Sequence, residues 1–249
     1  MRIFFIISLL IYSKCIFSKE INLHFEIDWK SAHLADLFWD ISIEDNQYVI
    51  KYLIKSYGIT DQIFNYESQT LVKGHVDNNQ LRPLSYKSKT KSTRQDVYTN
   101  ILFNKDGTIQ DFDISKEILK DQLDLQNKIF KEFLYFTDPI SQLSQYFLYN
   151  TNSDRLIIDG LSIYQLKKSN ISSVTFKDNY LDVQSGQAKK YILSFPFFEG
   201  IHKIGKKNNL NEIHMIYKDL EDLLLPIQYD IYSKKFNAKL FLKSYKISE

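Results

Sequence analysis

The chain has 249 residues, 32 of them basic and 30 acidic, and its formal net charge of +2 excludes the basic footprint of a nucleic-acid-binding protein. Its one cysteine excludes an internal disulfide, so a hydrophobic core must hold it, which this length allows in one or two domains. The basic residues are nearly all Lys, Tyr and Phe number 17 and 18, and Gly and Pro only 7 and 4, a bias of AT-rich coding that carries no information on mechanism.

Met1-Arg2 is followed by an apolar run over 3–12 and then by Ser13-Lys14-Cys15-Ile16-Phe17-Ser18. A basic start, a short apolar stretch and a small residue near the cut predict a secretory signal over 1–18; ten residues are too few to cross a bilayer core of about 30 Å. The mature chain is expected to start at Lys19 and to be periplasmic. Lys14 stands where a lipoprotein signal needs a small residue, so a lipid anchor on Cys15 is not expected. Cleavage removes Arg2 and Lys14, leaving 30 basic residues against 30 acidic ones.

Strand patterning then begins. Ile21, Leu23, Phe25, Ile27 and Trp29 alternate with polar residues, as do Ala35, Leu37, Trp39, Ile41 and Ile43, each a half-buried strand. Glu44-Asp45-Asn46-Gln47 supplies a turn, Tyr48, Ile50, Tyr52 and Ile54 form a third strand, and Gly58 marks a break. Phe64, Tyr66, Thr70 and Val72 read as one face of the next strand, and two short runs surround Arg82-Pro83. Val97, Thr99, Ile101 and Phe103 lead into Asn104-Lys105-Asp106-Gly107, a hairpin signal.

Residues 114–150 interrupt this pattern. Ile118, Leu119, Leu123, Ile129, Phe130, Phe133 and Leu134 recur at steps of three, four and seven, predicting an amphipathic helix of about five turns. A second helix starts at Thr137 or Asp138 as cap, with Pro139 at its first position and Ile140, Leu143, Phe147 and Leu148 as its apolar face. Two helices inside a β chain are expected to cover an open face or one end of the sheet, or to form a lid over a ligand cavity.

Alternation resumes beyond them. Asp159-Gly160 between apolar runs suits a type I′ turn with positive φ at both residues, and Asp178-Asn179 marks another hairpin. Tyr191, Leu193, Phe195 and Phe197 form an aromatic strand face, a basic loop follows over 203–207, and three more strands close the chain. Pro226 is expected at a strand start or an edge because it cannot donate to a ladder. The fold class read from this is mainly β: a curled antiparallel sheet, an open or half β-barrel, of about ten to thirteen strands with a two-helix insertion in mid-chain. It is expected to make a single β-rich domain over 19–249.

Chemistry has little support. His24, His33, His75, His202 and His214 are scattered; His33 with Asp36 and Asp40 could be pictured as a metal cluster, but a solvated strand face explains them. There is no nucleophile elbow, phosphate loop or dinucleotide glycine pattern, Asn170-Ile171-Ser172 is a three-residue glycosylation match common by chance, and helix capping accounts for Asp138 and Ser141. The chain is therefore not expected to be an enzyme or to carry a cofactor or metal.

The order of Leu81-Arg82-Pro83-Leu84-Ser85-Tyr86, the 104–107 hairpin, Asp138-Pro139-Ile140-Ser141 opening a helix, Asp159-Gly160, a late aromatic strand and Leu225-Pro226-Ile227 resembles a family of exported proteins of unknown function from Gram-negative bacteria. The likeness covers nearly the whole mature chain; this sequence departs from it in lacking a cysteine in the late strands and in a longer, more charged helix before Asp138. The resemblance implies a periplasmic protein with a curled antiparallel sheet, similar in outline to lipoprotein-carrier folds, and no assigned activity.

The expected function is to hold an apolar or lipid ligand in the open barrel, with Tyr191, Leu193, Phe195, Phe197, Phe133 and Phe147 lining its cavity and Asp138, Pro139, Ser141, Asp159, Gly160 and Pro226 as structural motif positions. The alternative is an accessory envelope protein with a filled core and no ligand. An envelope protein partner and peripheral membrane association stay open. An integral outer-membrane barrel is disfavoured by the charged insertion and the ending Ile247-Ser248-Glu249.

Overall fold

The computed structural model describes residues 18–115, 120–151, 155–176, 186–200, 210–220, 223–233 and 237–249. All but Ser18 of the expected signal over 1–18, Ile118 and Leu119 of the first helix, the Asp178-Asn179 turn, His202 and the loop 203–207 lie outside them. The first half holds β1 (Ser18–Trp29), β2 (Ala32–Glu44), β3 (Gln47–Ser56), α1 (Gly58–Phe64), β4 (Glu67–Asp77), β5 (Gln80–Ser92), β6 (Gln95–Phe103) and β7 (Ile109–Ile114). After it come α2 (Lys120–Glu132), β8 (Phe136–Thr137), α3 (Pro139–Leu148), β9 (Leu156–Ile158), β10 (Ser162–Phe176), β11 (Gly186–Gly200), β12 (Leu210–Leu220), β13 (Leu223–Ser233) and β14 (Asn237–Ser248).

All fourteen strands belong to one sheet, in the order β7-β6-β5-β4-β3-β2-β1-β14-β13-β12-β11-β10-β9-β8. The first and last strands therefore pair at its centre, and the two strands that flank α2 in sequence form its edges. The described strands, fourteen, outnumber the expected ten to thirteen, and β8, two residues long, is too short to show a period. It pairs with β9 in parallel, Phe136 with Leu156 and Thr137 with Ile157, in an otherwise antiparallel sheet.

Period-two burial builds the wall: Ile21, Leu23 and Phe25, then Leu37, Trp39, Ile41 and Ile43, then Tyr48 and Ile50 all face one core. Tight turns keep neighbours in register. Lys30-Ser31, Asp45-Asn46 and Asn78-Asn79 all take positive φ, as two-residue hairpins with the strand twist require. The 104–107 hairpin forms as expected, with Gly107 at positive φ.

The sheet curls until its edges nearly meet. Across the gap the N–H of Phe136 donates to the carbonyl of Gly107 at 2.8 Å, and Phe130 of α2 packs edge-on to both Phe112 of β7 and Phe136 of β8. Helix α2 thus bridges the seam through Ile129 and Phe130, while Leu123, Phe133 and Leu134 stay exposed. The apolar positions expected on one stripe are split between core and surface.

Helix α3 lies inside the barrel, against β3, β5, β9 and β13. Eight of its ten residues are buried, Ser141, Gln142, Ser144 and Gln145 among them, so it is a plug more than a cover. Asp138 caps it as expected, its Oδ1 accepting from the N–H groups of Ile140 and Ser141 at 2.9 Å, with Pro139 in the first turn. Two of its buried polar side chains, Ser141 and Gln145, find partners in the wall. Strand β5 runs past β6, which pairs with it only from Ser85 onward, and Leu81 lies in the overhang. Its N–H donates to Gln145 Oε1 at 3.0 Å, and its carbonyl accepts from Arg155 Nη1 at 2.9 Å.

Three local expectations need correction. The stretch expected to lead into β4 begins with α1, which the sequence reading missed because Ile59 and Ile63 point outward and leave no inward apolar stripe. Only Gly160 takes positive φ in the Asp159-Gly160 turn; Asp159 instead accepts N–H bonds from Leu161 and Ser162 at 2.8 and 2.7 Å, an Asx-type turn. Pro226 sits in a central strand. It is accommodated because pairing with β14 begins at Gln228 and the ladder to β12 is irregular beside it.

Candidate functional site

The aromatic set picked from sequence lies mostly in packed surroundings. Leu193 is fully buried, Tyr191 packs edge-on to Tyr217, and Phe147 on α3 meets Trp39 edge-on. Lys168 sits over the rings of Tyr191 and Tyr146 at 4.7 and 5.3 Å and donates to Asn150; its partial burial lowers its pKa to about 8. Phe195 and Phe197 are half-buried, and Phe133 is exposed beyond α2. Asp138, Ser141 and Tyr48 are enclosed, the Tyr48 and Ser141 hydroxyls 2.8 Å apart. Among the described residues no group of His, Cys, Asp and Glu could hold a metal; His24 and His33 share Asp36, and Asn22 donates to Asp40.

The large groove lies on the other face of the wall, turned away from α3. It encloses about 960 Å³, near the top of the range common for small-molecule pockets, and is lined by residues of β2 to β7. Register explains its composition. Phe38, Leu53, Gln69, Lys89 and Tyr98 stand directly opposite one another across five strands, and Asp40, Lys51, Leu71, Lys87, Asn100 and Asp113 do so across six. Neighbouring strands are about 4.8 Å apart, so these rows run on the order of 20 Å side by side.

Chemically the groove is apolar in patches and cationic along one stretch. Phe38, Leu53, Leu71 and Tyr98 give hydrocarbon surface, with Phe38 stacked on His24 at 4.6 Å. Its two carboxylates already have donors: Asn22 serves Asp40 and the Tyr98 hydroxyl serves Asp113, both at 2.8 Å. Among the described residues Lys51, Lys87 and Lys89 form no ion pair, which leaves three ammonium groups within one concavity. Bulges bend the wall here, between Lys73 and Gly74 and between Leu102 and Phe103. Sequence reading missed this site because its residues are the polar-looking half of each alternation; only the register collects them.

No protein-family model matches the chain, and no curated protein matches it. Among solved structures it is similar to the β-barrel-like protein of domain of unknown function DUF1849 from Brucella abortus, with a TM-score of 0.47 at 7% identity over 92% of this chain and 98% of that one. It is also similar to a DUF1329 family protein from Desulfovibrio piger, with a TM-score of 0.24 at 9% identity over 94% and 86%.

Two further carboxyls stand out by their burial. Desolvation pushes Asp138 and Asp159 each up to about 6, although backbone N–H donors favour their ionised forms. Both are held in turns that their own oxygens cap, so their surroundings account for them without a substrate.

Proposed function

We propose that the protein is an exported binding protein, working on the periplasmic side of a bacterial envelope, that holds an amphiphile with an anionic head in the outer groove of β2 to β7. Export follows the basic start and apolar run over 1–18. The pairing of hydrocarbon patches with three unpaired ammonium groups in one concavity of about 960 Å³ carries the binding reading. An acyl chain would lie along Phe38, Leu53 and Leu71 while a carboxylate or phosphate meets Lys51, Lys87 and Lys89.

Titration of the mature chain with a dansyl-labelled fatty acid and with its methyl ester tests this. The acid is expected to bind, the ester about tenfold more weakly, and the double variant Lys87→Glu, Lys89→Glu is expected to lose the preference for the acid. Equal binding of acid and ester, unchanged by these substitutions, would remove the groove from consideration.

A second reading has its own observation. Helix α3 fills the barrel interior, which suits an accessory envelope protein with a packed core and no ligand. No uptake of the probe would favour it.

A further inference from the structure

Helix α1 is inside out. Thr60 and Asp61 face the protein, where Asp61 accepts from the Ser56 hydroxyl at 2.6 Å, while Ile59 and Ile63, one turn apart, are 74% and 57% exposed. Tyr57 before it is 54% exposed, and Phe64 at its end is also exposed. A soluble surface helix places its apolar residues the other way round. Leaving two isoleucines in water while turning an aspartate inward fits a helix whose outer face meets something apolar.

The same end of the sheet gathers more of this chemistry. The N–H of Tyr57 donates to Leu34 of β2 and its ring stacks on His33 at 4.3 Å, which sets α1 beside the β1–β2 turn. That turn carries exposed Trp29 with the Lys30 ammonium 4.9 Å over its ring. On the other side the N–H of Thr93 donates to the Phe64 carbonyl, and the Arg94 guanidinium lies 5.5 Å over the Phe64 ring. Among the described residues neither Lys30 nor Arg94 forms an ion pair. Exposed aromatic rings bearing cations, around a protruding aliphatic turn, match the layers of a phospholipid surface: acyl chains for the isoleucines, the glycerol region for Trp and Tyr, phosphates for Lys and Arg. Among the described residues no helix is long and apolar enough to cross a membrane.

We propose that the α1 end docks on a phospholipid bilayer, inserting Ile59 and Ile63 with Lys30 and Arg94 at the head groups. This end is continuous with the groove: Leu53 and Lys55 stand at alternate positions on the outer face of β3, about 7 Å per step, and Tyr57, still extended, follows just past its end as the cap of α1. The docking itself does not depend on any groove ligand.

The full mature chain is mixed with vesicles of phosphatidylcholine and phosphatidylglycerol and followed by co-sedimentation and tryptophan emission. Of the two tryptophans Trp39 is fully buried, so a blue shift reports Trp29. Binding with a blue shift is expected, with weak salt dependence because aliphatic insertion dominates. The double variant Ile59→Asp, Ile63→Asp, at exposed sites that leave the fold intact, should weaken binding on the order of a hundredfold, and Arg94→Glu less. The groove variant Lys87→Glu, Lys89→Glu should sediment like the parent, which separates failure of docking from failure of the groove reading. Parent-like sedimentation of the double variant overturns the proposal. So does a parent chain that ignores vesicles, and a dimer dissolved by the same substitutions would then assign the face to a second copy.

Discussion

The ring of Tyr48 packs so closely on the backbone of Gly74 that a Cβ added there would come 2.6 Å from it. It would also run into the carbonyl of Arg82 on the neighbouring strand. The register shift of the β4–β5 pair falls at this glycine, so the absent side chain lets β5 approach and lets Tyr48 reach Ser141 on α3. Gly74→Ala is therefore expected to destabilise by about 2 kcal/mol or more, a fall of about 4–8 °C in Tm for a domain of this size. Thermal melts check it, and an unchanged Tm would show that the bulge can shift without loss.

Gln145→Leu tests the overhang of β5. The substitution keeps the bulk but leaves the Leu81 N–H without its acceptor inside the barrel. An expected loss of about 1–3 kcal/mol in urea unfolding follows from stranding a buried donor. A neutral result would mean that another acceptor replaces the amide oxygen.

The buried cap makes stability depend on pH. Asp138 has its pKa raised from 3.8 to about 6, chiefly by desolvation, so folding favours its protonated form. Its contribution is fully present below about pH 4 and is lost as pH rises through 6. A rise of that size is worth about 3 kcal/mol. Asp138→Asn keeps a good capping residue without the charge. Relative to the parent it should therefore gain about 3 kcal/mol between pH 4 and pH 7.5 in paired urea titrations, and a difference constant with pH would refute the raised value.

Much of the wall was legible because β1 to β3 bury one residue in two, and Asp45-Asn46 and the 104–107 hairpin state their turns in short side-chain chemistry. The cap at Asp138 was legible for the same reason. What escaped depends on partners distant in sequence. Gln142 and Ser144 look solvated on a helical wheel, yet the sheet encloses them. Ile59 and Ile63 carry no inward period, so α1 went unread between the break at Gly58 and the strand face expected from Phe64. Leu71 and Lys87 become neighbours only through the ladder between β4 and β5, and no local window shows that a groove gathers there. Strand β8, only two residues long, shows no period of its own and is defined by its parallel pairing with β9 across α3.

The central pairing of β1 with β14 governs how the molecule can be assembled. Each half of the sheet grows by closure of local hairpins, a quick process, whereas the join between them unites segments as far apart as Lys19 and Glu249, 230 positions distant. Until the final strand arrives, β1 and β13 both present open edges in the middle of the future wall, where another chain could add. Shielding from aggregation is thus withheld until the last twelve-residue strand docks, and truncation within β14 should produce two sticky half-sheets instead of a slightly weaker barrel.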